Sequence, residues 1–354
     1  MKRRAEFLSM EWPAEDTEPV PQCPVCESTG RDLMHAGLRD RTFLCAPGSW
    51  DLYRCRECTA AYLDPRPTPA TIGRAYAQYY THGDTKWEGA DSNGSMLRRI
   101  RKSLFDGYVN WKYGYRLPSA LAIGALFVPI FPVRQSHLDL EVRRLKRPPN
   151  GGRLLDVGCG NGEWIRYMRD LGWQVVGQDV DPKAVQQAAQ DGLDVRAGDL
   201  ESLGLEPESF DAITLSHVIE HLHDPVACLR TCYRLLKPDG LIWLATPNID
   251  SDSYKQFGAS WRGLETPRHL VLFNVASLRR ACEQACFHVQ DVHGVICAEF
   301  LYAQSLAISE ERDPNVHKDL PPHKWHDFRK EDELGIAVPA RAGIITMSAT
   351  KRPA

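Results

Sequence analysis

The 354-residue chain lacks any apolar run of the ~18 residues that a membrane-spanning helix needs. No apolar run follows Met1-Lys2-Arg3-Arg4, so no secretory leader is expected and the cytoplasm is the expected compartment. Neither sign of charge is in surplus. With 43 Lys and Arg against 46 Asp and Glu the net charge is −3, which argues against wholesale polyanion binding and leaves local basic patches open. Internal repeats and low-complexity tracts are also missing. Cysteine is not: there are 11, and in a reducing compartment they are expected as thiols or metal ligands rather than disulfides. Cys228, Cys232, Cys282, Cys286 and Cys297 are expected to be small core residues. The length leaves room for two domains.

The most informative stretch is Leu154-Leu155-Asp156-Val157-Gly158-Cys159-Gly160-Asn161-Gly162. Residues 153–157 read as a buried strand. Residues 163–171 read as a helix with Trp164, Met168 and Leu171 on one face. A glycine loop between them lets a ligand approach the backbone and aims helix N-terminal amides at it. A second strand, 173–179, ends on Asp179, an acid placed to accept from ribose hydroxyls. The glycines run G-x-G-x-G, whereas the dinucleotide fingerprint is G-x-G-x-x-G, and Asp156 precedes them. A carboxylate there would repel a pyrophosphate but could pair with an amine, so the loop suits a smaller zwitterionic tail. A nicotinamide-dependent oxidoreductase is the alternative, and the spacing counts against it.

Further strands are predicted at 195–200, 210–215 and 241–248, with a helix-ending turn at Leu235–Gly240 and a last strand at 344–348. In this order the motifs of roughly residues 150–295 resemble the class I S-adenosylmethionine-dependent methyltransferases. The resemblance implies a doubly wound, Rossmann-like α/β fold around a seven-stranded sheet. It also implies that Asp156, Gly158, Cys159, Gly160 and Gly162 surround the methionine part of the donor, with Asp179 on the ribose. Asp199 would meet the adenine amino group and Leu200 its ring, while Ser216 and His217 would sit near the methyl group.

Two C-x-x-C turns, Cys23/Cys26 and Cys55/Cys58, stand 28 residues apart. Four thiolates facing one point form a closed tetrahedral site that favours structural zinc. Thr42–Cys45 is a candidate strand between them, and Cys45 is the thiol left over. An extended proline-rich exit, 61–69, leads to Tyr76, Tyr79 and Tyr80, which either pack the module or touch substrate. This front resembles that of bacterial methyltransferases acting on sugars and other metabolites. The predicted organisation is a zinc-ribbon-like module over 1–70, a helical cap and linker over 71–150, and the donor-binding domain over 151–354.

Residues 97–116 read as a basic amphipathic helix, followed by a proline-broken apolar run over 120–132. That pair is either a cap over the site or a surface for peripheral membrane contact. Arg143–Arg147 then belong to a basic linker. His217, Glu220 and His221 follow the fourth strand, and a helix starting there would put them on one face. His269 lies after the fifth strand, in the loop region that rims the same pocket. His269 or His221 is a candidate general base; alternatively the four bind a divalent metal, or Glu220 and His221 only tie loops together. The metal arrangement is similar to that of ubiquinone O-methyltransferases and small-RNA 2′-O-methyltransferases, with His217 in place of their first Glu. Arg262 and Arg268 either face an anionic group or pair with Glu265. Residues 296–340 read as a polar excursion. The expected activity is methyl transfer to a hydroxyl of a sugar, glycan intermediate or secondary metabolite. An RNA methyltransferase and a non-catalytic binding protein are the competing readings.

Overall fold

A computed structural model describes residues 6–76, 96–148, 151–295, 299–316 and 320–351. Tyr79, Tyr80, Cys297 and His317 lie outside the described residues. Thirteen strands are numbered in chain order: β1 Thr17–Glu18, β2 Arg31–Leu38, β3 Trp50–Cys55, β4 Ala61–Leu63, β5 Arg66–Pro67, β6 Arg153–Val157, β7 Gln174–Asp179, β8 Val195–Ala197, β9 Phe210–Ser216, β10 Leu236–Pro247, β11 Val271–Leu272, β12 Phe287–Val295 and β13 Ile344–Lys351.

Seven of them form one sheet in the order β12-β13-β10-β9-β6-β7-β8. Strands β10, β9, β6, β7 and β8 run parallel, and β13 and β12 close one edge antiparallel. Leu154, Leu155 and Val157 of β6 and Ile213 and Leu215 of β9 are buried, as strands covered on both faces require. Chain order reverses between β6 and β9, so their carboxyl ends flank the crevice where open α/β sheets bind ligands. The expected doubly wound sheet is present. One detail differs: Leu236–Gly240 is not a free turn. Helix Pro225–Leu235 runs straight into β10, where Leu236 already pairs with Phe210 before the register shifts at Leu241. Lys237 anchors that bulge on Asp211 at 2.8 Å.

The front of the chain builds a second sheet, β11-β4-β3-β2. Its outer strand β11 comes from beyond residue 270, so the cysteine module is stitched to the large domain by backbone pairing of Val271 with Tyr62. One apolar cluster runs through both, from Trp50, Tyr62 and Leu63 to Leu270, Phe273 and Ile213. Thr42–Cys45 is not a strand. The Asp40 carboxylate accepts from the amides of Thr42, Phe43, Cys45 and Ala46, taking the donors a ladder would have used.

The cap consists of helices α1 Met96–Tyr113, α2 Gly124–Phe127 and α3 Pro132–Glu141. Tyr108, Tyr113, Leu138 and Leu145 pack on Leu154, Met168 and Trp173. Buried Asp139 accepts from Tyr108, Tyr113, Lys112 and Arg144 and locks α1 to α3. The excursion expected over 296–340 contains two helices, Glu299–Ser309 and Trp325–Ala337, joined by an aromatic cluster of Tyr302, Trp325 and Phe328. Cys232 and Cys282 are core residues as expected, whereas Cys286 is exposed at a positive φ after its helix ends. Among the described residues no helix is long and apolar enough to cross a membrane.

Candidate functional site

The glycine loop leaves β6 at Gly158 and ends at Gly162, whose φ of 77° opens helix Glu163–Asp170. Gly158 has φ 70°, and a Cβ there would lie 2.3 Å from Val218 Cγ2, so no larger residue fits. Val218 belongs to the turn after β9, and the loop therefore touches the segment 217–221 directly. The loop amides are held from β7. Gly158 and Cys159 donate to the Gln178 carbonyl, and Gly160 donates to the Asp179 carboxylate at 2.8 Å. Burial pushes the Asp179 carboxyl up, against the amides that donate to it. Gln178, which the sequence did not single out, also ties this edge to the Gly198 carbonyl. Asp199 is exposed and Leu200 buried, just past β8, and Ser216 is half-buried at the end of β9. Asp156, the Gly158–Gly162 loop, Asp179, Asp199, Leu200 and Ser216 all lie at the carboxyl ends of four adjacent parallel strands.

Arg143 changes the picture of Asp156. It was expected in a linker. Instead its backbone turns through a positive φ and its buried guanidinium donates to Asp156, while the Thr214 hydroxyl donates to the same oxygen at 2.7 Å. The guanidinium stacks on Trp164, 3.4 Å from the ring centroid. Burial raises the Asp156 carboxyl and Arg143 opposes that rise.

Segment 217–221 is not the start of a helix. His217 sits at φ 56°, Ile219–His221 make a single 3-10 turn, and the helix begins only at Pro225. The turn nonetheless gathers the expected groups. His217 Nδ1 lies 3.3 Å from Glu220 Oε1, and Thr246 donates to Glu220 Oε2 at 3.0 Å. Burial alone would raise the fully enclosed Glu220 carboxyl; the His217 hydrogen bond and the nearby imidazoles hold it down at about 2. His221 Nδ1 meets the Arg268 carbonyl and the Tyr76 hydroxyl, each at 3.0 Å. His269 Nδ1 donates to the Gly263 carbonyl at 2.7 Å. Its burial lowers the imidazole to about 4, so the ring is neutral near pH 7 with its lone pair on the other nitrogen. The two imidazole rings are 4.7 Å apart. One ligand atom each from Glu220, His221 and His269 lies within 4.8 Å of the other two, the arrangement a divalent ion could use. His217 stands at the edge of this trio, its side chain 43% exposed.

Of their two readings, Arg262 and Arg268 show the ion pair. Both pair with Glu265, and Arg268 also holds Asp40 of the front module in a fully buried pair. Tyr76 packs against the core shared by the front module and the large domain while its hydroxyl meets His221, and the remaining thiol Cys45 donates to the Ala75 carbonyl.

The four expected metal cysteines converge. Cys23 and Cys58 sulfurs are 3.5 Å apart, as are those of Cys26 and Cys55, and all four fall within 4.8 Å. Sulfurs on the edge of a zinc tetrahedron stand about 3.7 Å apart. Each turn is closed by a residue of positive φ after its second cysteine, Glu27 and Thr59. The set is all sulfur and closed, which fits a structural ribbon and not a catalytic centre.

Residues 134–292 match the family model of a methyltransferase domain. The ubiquinone biosynthesis O-methyltransferase of Xanthomonas campestris is 39% identical over 127 residues, covering 34% of this chain and 52% of that protein. The enzyme of the same name from Cereibacter sphaeroides is 39% identical over 122 residues, covering 32% and 49%. The chain thus spans about half the length of the curated relatives it matches. A solved S-adenosylmethionine-dependent methyltransferase from Mesorhizobium loti aligns over 61% of this chain and 98% of its own, at 19% identity and a TM-score of 0.41. Residues 134–292 thus match a methyltransferase domain, behind a four-cysteine module that fits a zinc ribbon.

Proposed function

We propose that the chain transfers the methyl group of S-adenosylmethionine to a hydroxyl oxygen of a small molecule. The observation that carries this reading is contact: Val218, inside the turn bearing Glu220 and His221, rests on Gly158 of the donor loop. A methyl donor in the loop and an acceptor beside the imidazoles would then be neighbours. The donor's aminoacyl end is a zwitterion and needs one cation and one anion. Arg143 and Asp156 supply both by opening their pair, and Asp179 takes the ribose hydroxyls. Asp199 and Leu200 receive the adenine, and Ser216 borders the methyl group.

The chemistry asks little beyond alignment and proton removal. The acceptor oxygen attacks the methyl carbon, the carbon–sulfur bond breaks, and its electron pair stays on sulfur as a neutral thioether. His269 or His221 accepts the hydroxyl proton. In the alternative arrangement Glu220, His221 and His269 would hold a divalent cation that lowers the pKa of that hydroxyl, and the imidazole lone pairs would then be on the ion and not take the proton. The relatives are named for ubiquinone biosynthesis and not for sugars, so the acceptor class is a hydroxyl-bearing small molecule. In the second of the two basic patches that an RNA substrate would need, Arg143 is turned onto Asp156 and Arg144 onto Asp139. Methyl-labelled donor, offered with a panel of phenols, catechols and glycosides, should yield a labelled O-methyl ether and one equivalent of demethylated donor. Label appearing only on carbon or nitrogen would refute the oxygen assignment.

The cysteine module is proposed to hold zinc and to sit in the cytoplasm with its thiols reduced. One zinc per chain is expected by elemental analysis. Cys55→Ser should release it and lower the unfolding temperature, because β3 and β4 carry the backbone pairing to β11. Retained metal in that variant would contradict the four-thiolate site.

A further inference from the structure

Among the described residues 16 large hydrophobic side chains are exposed, and 11 of them lie between residues 96 and 133. That concentration is not the scatter of single apolar residues that a soluble surface carries. The residues come from two elements in contact. Leu97 and Ile100 stand on the first turns of α1. Ile123, Leu126, Ile130 and Phe131 stand on the segment around α2, with Leu97, Leu126 and Ile130 exposed to 78%, 77% and 69%. The elements cross closely because of two glycines. A Cβ on Gly124 would lie 1.8 Å from the Leu104 carbonyl oxygen, and one on Gly107 equally close to that of Leu121. Ile100 is one helical turn before Leu104, so its face continues into the α2 segment.

The rim of this apolar face is basic. Arg98, Arg99 and Arg101 are exposed, as is Lys102, which pairs with Asp106. Arg134 closes the far side, and it and Arg101 both lie over the Phe105 ring, at 5.1 and 5.9 Å. Arg98, Arg99 and Arg101 have no carboxylate partner among the described residues.

We propose that this face docks on an anionic phospholipid bilayer. The apolar side chains would enter the acyl boundary while the arginines meet lipid phosphates. The argument is charge complementarity around an apolar centre of short helices that cannot span. A protein partner of ordinary composition explains the apolar centre but not the arginine rim. Ten residues past Val133 the same segment delivers Arg143 to Asp156, so a docked cap would lie between the bilayer and the donor loop. The proposal does not depend on methyl transfer.

Flotation of the full chain with vesicles tests it. Vesicles of mixed phosphatidylglycerol and phosphatidylcholine should carry the protein, and salt should release it, since exposed charges are screened over about 8 Å at physiological ionic strength. Pure phosphatidylcholine should carry much less. Each of Arg98→Ala and Arg99→Ala should weaken binding by about fivefold. Leu126→Glu with Ile130→Glu should abolish it, with an unchanged unfolding temperature because both side chains are exposed. No flotation of the wild type, or equal flotation of the variants, would overturn the proposal. So would a wild-type dimer that ignores vesicles and becomes monomeric in Leu126→Glu/Ile130→Glu, which would make the face an interface between copies.

Discussion

Asp40→Ala is expected to destabilise the protein by about 3–5 kcal/mol, the cost of breaking a buried ion pair so that one positive charge is left uncompensated. Both members of the Asp40–Arg268 pair have fully buried side chains, and the guanidinium meets the two carboxylate oxygens at 3.0 and 3.1 Å. The same carboxylate caps four backbone amides. Removing it leaves two buried guanidiniums, Arg262 and Arg268, on the single Glu265 carboxylate and unties the loop that the sequence suggested was a strand. Burial would raise the Asp40 carboxyl, and Arg268 holds it below the usual range. Its contribution is therefore present above the ordinary carboxylate pKa of about 3.9 and is lost as pH falls through the lower folded value. Urea unfolding at pH 7 measures the effect. A loss below about 1 kcal/mol would mean that the pair is solvated, contrary to its burial. Because Arg268 offers its carbonyl to His221, this variant should also slow turnover while leaving donor affinity nearly unchanged.

His269→Ala should lower kcat by about 10²–10⁴, the usual contribution of a positioned proton acceptor. The ring is fully enclosed, and its Nδ1 is fixed on the Gly263 carbonyl, so alanine removes one nitrogen at a set position. Donor binding should change little, since no loop amide or Asp179 contact involves His269. With the imidazole held at about 4, kcat in the wild type should stay level from pH 8 down to about pH 5 and fall only below that. An acid limb centred near the free imidazole value of about 6.5 would move the proton acceptor elsewhere. Full activity in the variant would remove His269 from the chemistry.

The parallel strands were legible because a strand buried on both faces reads as a short apolar run. In β6 and β7 that run ends at the ligand edge, on Asp156-Val157 and on Asp179. The convergence of the four cysteines was legible because a C-x-x-C turn lets both of its sulfurs face one point. Arg143 was not. In sequence it is one of four basic residues among five, and the positive φ at 143 and 144 turns it under Trp164. Nor was the pairing of β4 with β11, a two-residue strand more than two hundred positions away. The Asp40–Arg268 pair is equally distant, so Arg268 could be read only against its near neighbour Glu265. The helix expected at 217–221 failed on one residue: with His217 left-handed and Leu222 extended, a single tight turn fits between β9 and Pro225.

Titration calorimetry of the purified chain with S-adenosylmethionine, with S-adenosylhomocysteine and with NADH tests the central claim most directly. The account predicts saturable binding of both sulfur nucleosides at one site per chain, weakened at least tenfold by Asp179→Ala, and no heat with NADH. Binding of NADH with silence toward both sulfur nucleosides would contradict it.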